Sequence, residues 1–259
     1  MSNESDFIWR SRVSDASPWG NWDDLRNASI FQRRVVYEDN HLLVVDKPIG
    51  LATQGAPSGV ESLFTCAQRY VKIKYNKPGE VYLGVVSRLD LPVSGIVLFA
   101  RTSKAAERLN EQIRERTVRK IYRALIEGTI SPERGELTDL IAKDRNNGNL
   151  RVVRSARGQS ATSSSYELQD ARLEYRVLER FPRTTLVEIQ LHTGRKHQIR
   201  LQFSSRGAPI VGDGKYGARP LDRAGICLHS YQLSITHPTL KQLMTFVSET
   251  PRYWSGMTQ

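Results

Sequence analysis

Cysteine is scarce in this chain: there are two in 259 residues, Cys66 and Cys227, far apart and outside any C-x-x-C spacing. Neither a disulfide framework nor a structural zinc is indicated, and a reducing compartment fits best. No apolar run approaches the length that crosses a bilayer, and the first residues lack a basic stretch leading into an apolar core. An unexported, cytoplasmic protein with no membrane partner is therefore expected. Histidine is sparse as well. His192 and His197 lie five apart with no third ligand nearby and do not match H-E-x-x-H, so no metal is expected. No internal repeat is present.

What the chain does have is enough apolar residue to bury a core, 39%, and a formal charge of +11. Such an excess suits a polyanionic partner, although a merely solvated surface would produce it too. Its distribution favours the partner. Residues 101–123 carry eight Lys and Arg against Glu107, Glu111 and Glu115. Residues 143–157 carry Lys143, Arg145, Arg151, Arg154 and Arg157 against Asp144 alone, and residues 195–206 add Arg195, Lys196, Arg200 and Arg206 with no acid. Three such segments predict a phosphate-binding surface.

Residues 1–30 read as an irregular extension whose tryptophans, Trp9, Trp19 and Trp22, pin it to the main body. Residues 31–259 read as one catalytic unit. Strands are expected at Val35–Tyr37, Leu42–Val45, Val81–Val86, Ile96–Ala100, Lys120–Glu127, Tyr166–Leu168, Tyr175–Leu178 and Leu186–Leu191. Helices are expected over Glu61–Tyr75 and after an N-cap at Ser103. His197–Ser204 fits a helix, but Ile199, Leu201 and Phe203 also alternate as a strand would. Arg154–Ser165, rich in Ser, Gly and Arg, reads as a loop. Strands outnumber helices without alternating with them, which predicts an α+β class with a mostly antiparallel sheet.

The chemistry is concentrated around Asp90. Val86-Ser87-Arg88-Leu89-Asp90 is followed by Pro92-Val93-Ser94-Gly95, so one carboxylate and one guanidinium occupy a loop between two apolar runs. Alone, an aspartate there is more often a turn residue or half of an ion pair. It does not stand alone. In chain order come Leu43-Val44-Val45-Asp46-Lys47-Pro48 with Gly50, the Asp90 segment, Lys120-Ile121-Tyr122 with Ala124, Gly135-Glu136-Leu137, Thr193-Gly194-Arg195-Lys196-His197-Gln198-Ile199-Arg200, and Gly207 through Gly217. The series resembles the RluA-type pseudouridine synthases, enzymes that isomerise uridine in RNA.

The resemblance implies a central, mostly antiparallel bipartite sheet with flanking helices, a ribosomal or transfer RNA substrate, and a reaction without cofactor or metal. It implies that Asp90 is the nucleophile, that Arg200 pairs with it and keeps it ionised, and that Tyr122 lies against the target base and helps to move a proton. It places Arg88, Arg195, Lys196, Lys47 and Ile199 among the substrate-binding residues. Arg88 would fill the gap left by the flipped nucleotide, while Lys47, Arg195 and Lys196 would make phosphate or structural contacts.

The sequence departs from the family pattern at Ser87, where histidine is usual, and at Leu91, where arginine is common. The S4 domain that often precedes the catalytic domain is not expected before Val35. A non-catalytic RNA-binding protein with the same fold is the competing reading, and a hydrolase pairing Asp90 with Glu80 or Asp213 a weaker one. Gly212-Asp213-Gly214-Lys215-Tyr216-Gly217 satisfies G-x-G-x-x-G, but Arg219-Pro220 follows where a nucleotide-binding helix should begin.

Overall fold

The computed structural model describes residues 7–10, 25–153, 165–221 and 225–258. Trp19, Trp22 and the expected loop Arg154–Ser165, apart from Ser165 itself, lie outside the described residues. The class is α+β, and the chain forms two compact units. One comprises Met1–Ile121 and Leu228–Trp254, the other Tyr122–Cys227 and Ser255–Gln259.

The first unit contains β1 (Phe7–Arg10), α1 (Ala28–Gln32), β2 (Val35–Glu38), β3 (Leu42–Lys47), α2 (Leu63–Lys74), β4 (Gly84–Val85), β5 (Ser94–Ala100) and α3 (Ser103–Arg114). The strand β6 (Arg119–Glu127) leads the chain out of it. The second unit continues with β7 (Arg134–Asp144), β8 (Leu150–Val153), β9 (Tyr166–Arg180), β10 (Thr184–Leu191) and α4 (Gln198–Ser204), and β11 (Leu228–Thr236) and β12 (Leu243–Val247) then complete the first unit.

In the first unit β3 pairs antiparallel with both β2 and β5, and β5 pairs parallel with β11 at His229 and Ser230. β11 runs antiparallel to β12, and β1 is parallel to β12. Every residue of β3 and β5 is buried. Their sequences are continuous apolar runs because both faces are covered. On one face Leu42, Val44, Ile96, Leu98, Leu233 and Phe246 pack with Ala105 and Leu109 of α3. On the other, Phe64 of α2 meets Phe99, and Tyr70 meets Phe31 of α1. Ser62 and Thr65 close a reciprocal capping box at the start of α2.

The turn between β2 and β3 hangs on Asp39. Its carboxylate accepts from the backbone N–H groups of His41 and Leu42, each at 2.7 Å, from the Tyr37 hydroxyl at 3.0 Å and from His237 Nε2 at 2.8 Å. Burial pushes its pKa up, but these four donors outweigh that and hold it below the usual carboxylate range.

In the second unit β9 lies between β7 and β10, antiparallel to each, and β8 pairs with β7. β9 alternates: Ala171, Leu173 and Tyr175 are buried while Arg172, Glu174 and Arg176 face solvent. The inner face receives α4 through Leu201, packed against Ile141 and Ala171, and through Phe203 against the Tyr175 ring. The outer face carries a ladder of ion pairs, Arg172 with Glu136 and Arg176 with Glu188. That ladder helps to explain why β7 was missed from sequence, since its exposed positions are Arg134, Glu136, Thr138 and Lys143, all polar.

Several sequence expectations change. Residues 1–30 are not irregular throughout: β1 pairs with β12, and Trp9 packs on Tyr37 with ring centroids 4.8 Å apart. Tyr166–Leu168 and Tyr175–Leu178 are two parts of one strand, β9. Val81–Val86 yields only the two-residue β4. The N-cap of α3 is Thr102, whose hydroxyl accepts from Ala105 N–H at 3.2 Å, rather than Ser103. The segment after His197 is helix, and Gly214–Tyr216 forms a single 3-10 turn with no nucleotide-binding helix behind it among the described residues.

Candidate active site

Asp90 occupies the loop from β4 to β5, half-buried, between exposed Arg88 and buried Val93. The peptide units around it are tied down one by one. The Thr53 hydroxyl donates to the Leu89 carbonyl at 2.9 Å and accepts from the Leu89 N–H at 3.0 Å. The Asp90 carbonyl accepts from Val93 N–H at 3.0 Å, and the Leu91 carbonyl from Gly50 N–H at 2.8 Å. Upstream, the Ser87 hydroxyl accepts from Leu98 N–H at 2.9 Å. The serine that departs from the family's usual histidine is thus a fastening of the loop to β5. Downstream, Ser94 Oγ meets His229 Nδ1 at 2.8 Å, and His229 Nε2 donates to the Ser248 carbonyl at 2.9 Å, all three residues being buried. A ring with its Nε2 proton engaged presents Nδ1 as an acceptor, so Ser94 donates to it.

Gly95 follows in a left-handed conformation, φ +109°, and a Cβ there would lie 2.3 Å from the Ser230 carbonyl oxygen. Only glycine fits where β5 begins its parallel pairing with β11.

Lys47 lies behind the loop. Its side chain is fully buried, and its ammonium donates to the carbonyls of Leu51 at 2.7 Å, Pro48 at 2.9 Å and Leu91 at 3.3 Å. Burial brings its pKa down to about 7, against the opposing pull of the Asp90 and Asp46 carboxylates. The substrate-binding role expected of Lys47 is corrected here: a sequestered ammonium that already serves three carbonyls has no donor to offer a phosphate. It is a structural contact.

In the second unit, Arg200 of α4 forms a bidentate pair with Asp213, Nε to Oδ2 at 2.6 Å and Nη2 to Oδ1 at 2.8 Å, both residues being buried. The guanidinium carbon lies 5.0 Å from the centre of the Tyr216 ring. Tyr216 in turn hydrogen-bonds His197 Nδ1 at 2.6 Å through its hydroxyl and accepts from Ser204 Oγ at 2.6 Å through its carbonyl. The glycine-rich segment therefore serves to fold Asp213 and Tyr216 onto Arg200. Sequence reasoning singled out Arg200 and missed Asp213 as its partner. Their spacing of thirteen residues has no helical or strand periodicity to mark it.

A chain of buried amides supports α4. Gln198 Oε1 accepts from Thr193 Oγ1 and Arg195 N–H, while its Nε2 donates to Gln202 Oε1. Gln202 Nε2 donates to Asp139, which also pairs with Arg206 at 2.9 Å. Arg200 and Arg206 are thus bound up in internal ion pairs, and the phosphate surface expected over residues 195–206 is reduced accordingly. Lys196 is exposed, and Arg195, half-buried, donates from Nε to the Asp170 carbonyl at 2.9 Å. Ile199 is buried. Tyr122 lies half-buried on β6, between Ile121 and Arg123. In the first unit's basic segment, Lys104, Arg114, Arg116 and Arg119 are exposed, whereas Arg108 donates to the Pro238 carbonyl.

Residues 41–205 match the RNA pseudouridylate synthase family. The chain belongs to that family. Members are isomerases acting on uridine in RNA, and relatives extend over most of the chain. The dual-specificity RNA pseudouridine synthase RluA of Pasteurella multocida is 33% identical over 216 residues, covering 82% of this chain and 90% of that one. The ribosomal large subunit pseudouridine synthase C of Vibrio vulnificus is 33% identical over 227 residues, 85% of this chain and 66% of its own length. Among solved structures, human RNA pseudouridylate synthase domain containing 4 superposes with a TM-score of 0.71 at 25% identity, over 90% of this chain and 95% of that one.

Proposed function

We propose that this isomerase converts uridine to pseudouridine in a structured ribosomal or transfer RNA, with Asp90 as nucleophile. The observation that supports the reading is the fastening of the peptide units from Leu89 to Leu91, which holds the backbone that carries the Asp90 carboxylate. Such positioning is what a covalent step needs, because a nucleophile held in place avoids the entropy of finding its target. In the reaction the bond from the ribose carbon to N1 breaks and a bond to C5 forms. The C5 proton leaves and N1 gains one, so no oxidant or reductant is consumed.

Arg200 supplies positive charge to the reaction, and Asp213, holding it by Nε and Nη2, fixes the orientation of that charge. Tyr122 lies against the base and assists the proton transfer. Arg88, exposed beside the loop, occupies the place of the flipped nucleotide, and Arg195 and Lys196 contact RNA phosphates. Ile199 is an apolar wall of the substrate site. The names of two relatives, both ribosomal large-subunit enzymes, support the ribosomal RNA part of this reading, and a cytoplasmic location is proposed with it.

The test is to map pseudouridine by carbodiimide labelling and primer extension in cells lacking the protein, then in cells rescued with wild-type or Asp90→Asn protein. A site lost on deletion and restored only by wild type is the expected result. Restoration by Asp90→Asn would overturn the nucleophile, and no lost site would favour a non-catalytic RNA-binding role.

A further inference from the structure

Leu89, Leu91 and Val93 are alternate apolar residues of the Asp90 loop, and they do not behave alike. Leu89 is 8% exposed and Val93 2%, whereas Leu91, between them, is 51% exposed. A leucine turned to solvent usually marks a flexible or unimportant position. Here the backbone beneath it is fixed, since the Leu91 carbonyl accepts from Gly50 N–H at 2.8 Å and from the Lys47 ammonium at 3.3 Å. An exposed apolar side chain on a rigid mount, one residue from the nucleophile, contributes little to the core and stands ready to meet something apolar.

The reaction supplies that surface. The glycosidic bond of a stacked uridine is inaccessible, so the nucleotide must leave the stack, and its departure uncovers the face of an adjoining base. Aliphatic side chains, leucine among them, cover such faces when proteins unstack nucleic acid. Arg88 is also exposed at the loop, but a guanidinium brings charge and hydrogen bonds, while a leucine offers only shape and apolar area.

We propose that Leu91 is a specificity-determining residue: its side chain packs on the base adjoining the flipped uridine and makes affinity depend on which base that is. This rests on the synthase reading above. Purines, with the larger face, are the favoured neighbours.

The experiment is steady-state tritium release from a hairpin carrying the mapped site, labelled at uridine C5, using wild-type, Leu91→Ala and Leu91→Met proteins. Each protein is also given hairpins abasic on the 5′ or the 3′ side of the target. Leu91→Ala is expected to raise KM about tenfold, the equivalent of about 1.4 kcal/mol, with kcat within about twofold, since burying part of a leucine is worth about that much. Leu91→Met should keep a nearly wild-type KM. On one of the two abasic hairpins the wild-type enzyme should show a similarly raised KM, and Leu91→Ala should add nothing further there. An unchanged KM, a loss confined to kcat, or losses that add on both abasic hairpins would overturn the proposal. Failure of the wild-type protein to release tritium is a separate result, which would remove the synthase reading itself.

Discussion

The ammonium of Lys47 and the carbonyl of Leu91 meet at 3.3 Å across 44 residues of sequence. The contact joins the end of β3 to the loop that carries Asp90, and it buries a lysine in order to do so. Its consequences can be measured.

Stability should depend on pH through Lys47. Its pKa falls from 10.5 in the unfolded chain to about 7 in the fold, so between those values the unfolded state binds more protons and stability rises with pH. Urea unfolding of wild type and Lys47→Met from pH 7 to 10 should show wild type gaining on the variant at up to about 1.4 kcal/mol per pH unit. Parallel curves for the two proteins would mean that the lysine is not sequestered.

Removing Asp213 should strand a buried guanidinium. Asp213→Ala is expected to lose about 3–5 kcal/mol of stability, the usual cost of breaking a buried pair from one side. The double change Arg200→Met with Asp213→Leu should recover most of that in chemical denaturation while leaving the protein inactive. Recovery of activity with stability would mean that Arg200 is purely structural.

Thr53→Val keeps the shape of the side chain but deletes the hydroxyl that both donates to and accepts from Leu89. It should cost about 1–3 kcal/mol for the buried peptide groups left unpaired, and kcat should fall with little change in KM for RNA. Thr53→Ser should retain most of the turnover. Equal loss in Thr53→Ser and Thr53→Val would place the effect in packing rather than in the hydrogen bonds.

Gly95→Ala should be among the most damaging small substitutions in the chain, because the added carbon meets the Ser230 carbonyl at 2.3 Å with φ at +109°. A loss of about 4 kcal/mol or more is expected, visible as a low thermal midpoint and as poor recovery of folded protein. A midpoint within a few degrees of wild type would show that β5 and β11 can separate without penalty.

The division between what was legible in the sequence and what was not follows from the range of the interactions. Apolar runs gave away β3 and β5, which are buried on both faces, and 3.6-residue periodicity gave away α2 and α3. These signals are local, so the sequence alone determined them, along with the basic charge and the ordered motifs that pointed to Asp90, Tyr122 and Arg200. β7, β8, β11 and β12 were not recognised. Part of the reason is that a strand with one charged face in an ion-pair ladder reads like surface, and its partners lie far along the chain.

Only the tertiary structure decided what surrounds the motifs. It made Lys47, expected as a phosphate or structural contact, an internal brace, gave Arg200 a partner in Asp213, and made Ser87 a fastening. It also held Leu91 out to solvent between two buried neighbours. Each of these depends on backbone or side-chain groups brought together from distant positions, and no periodicity along the sequence encodes such a meeting.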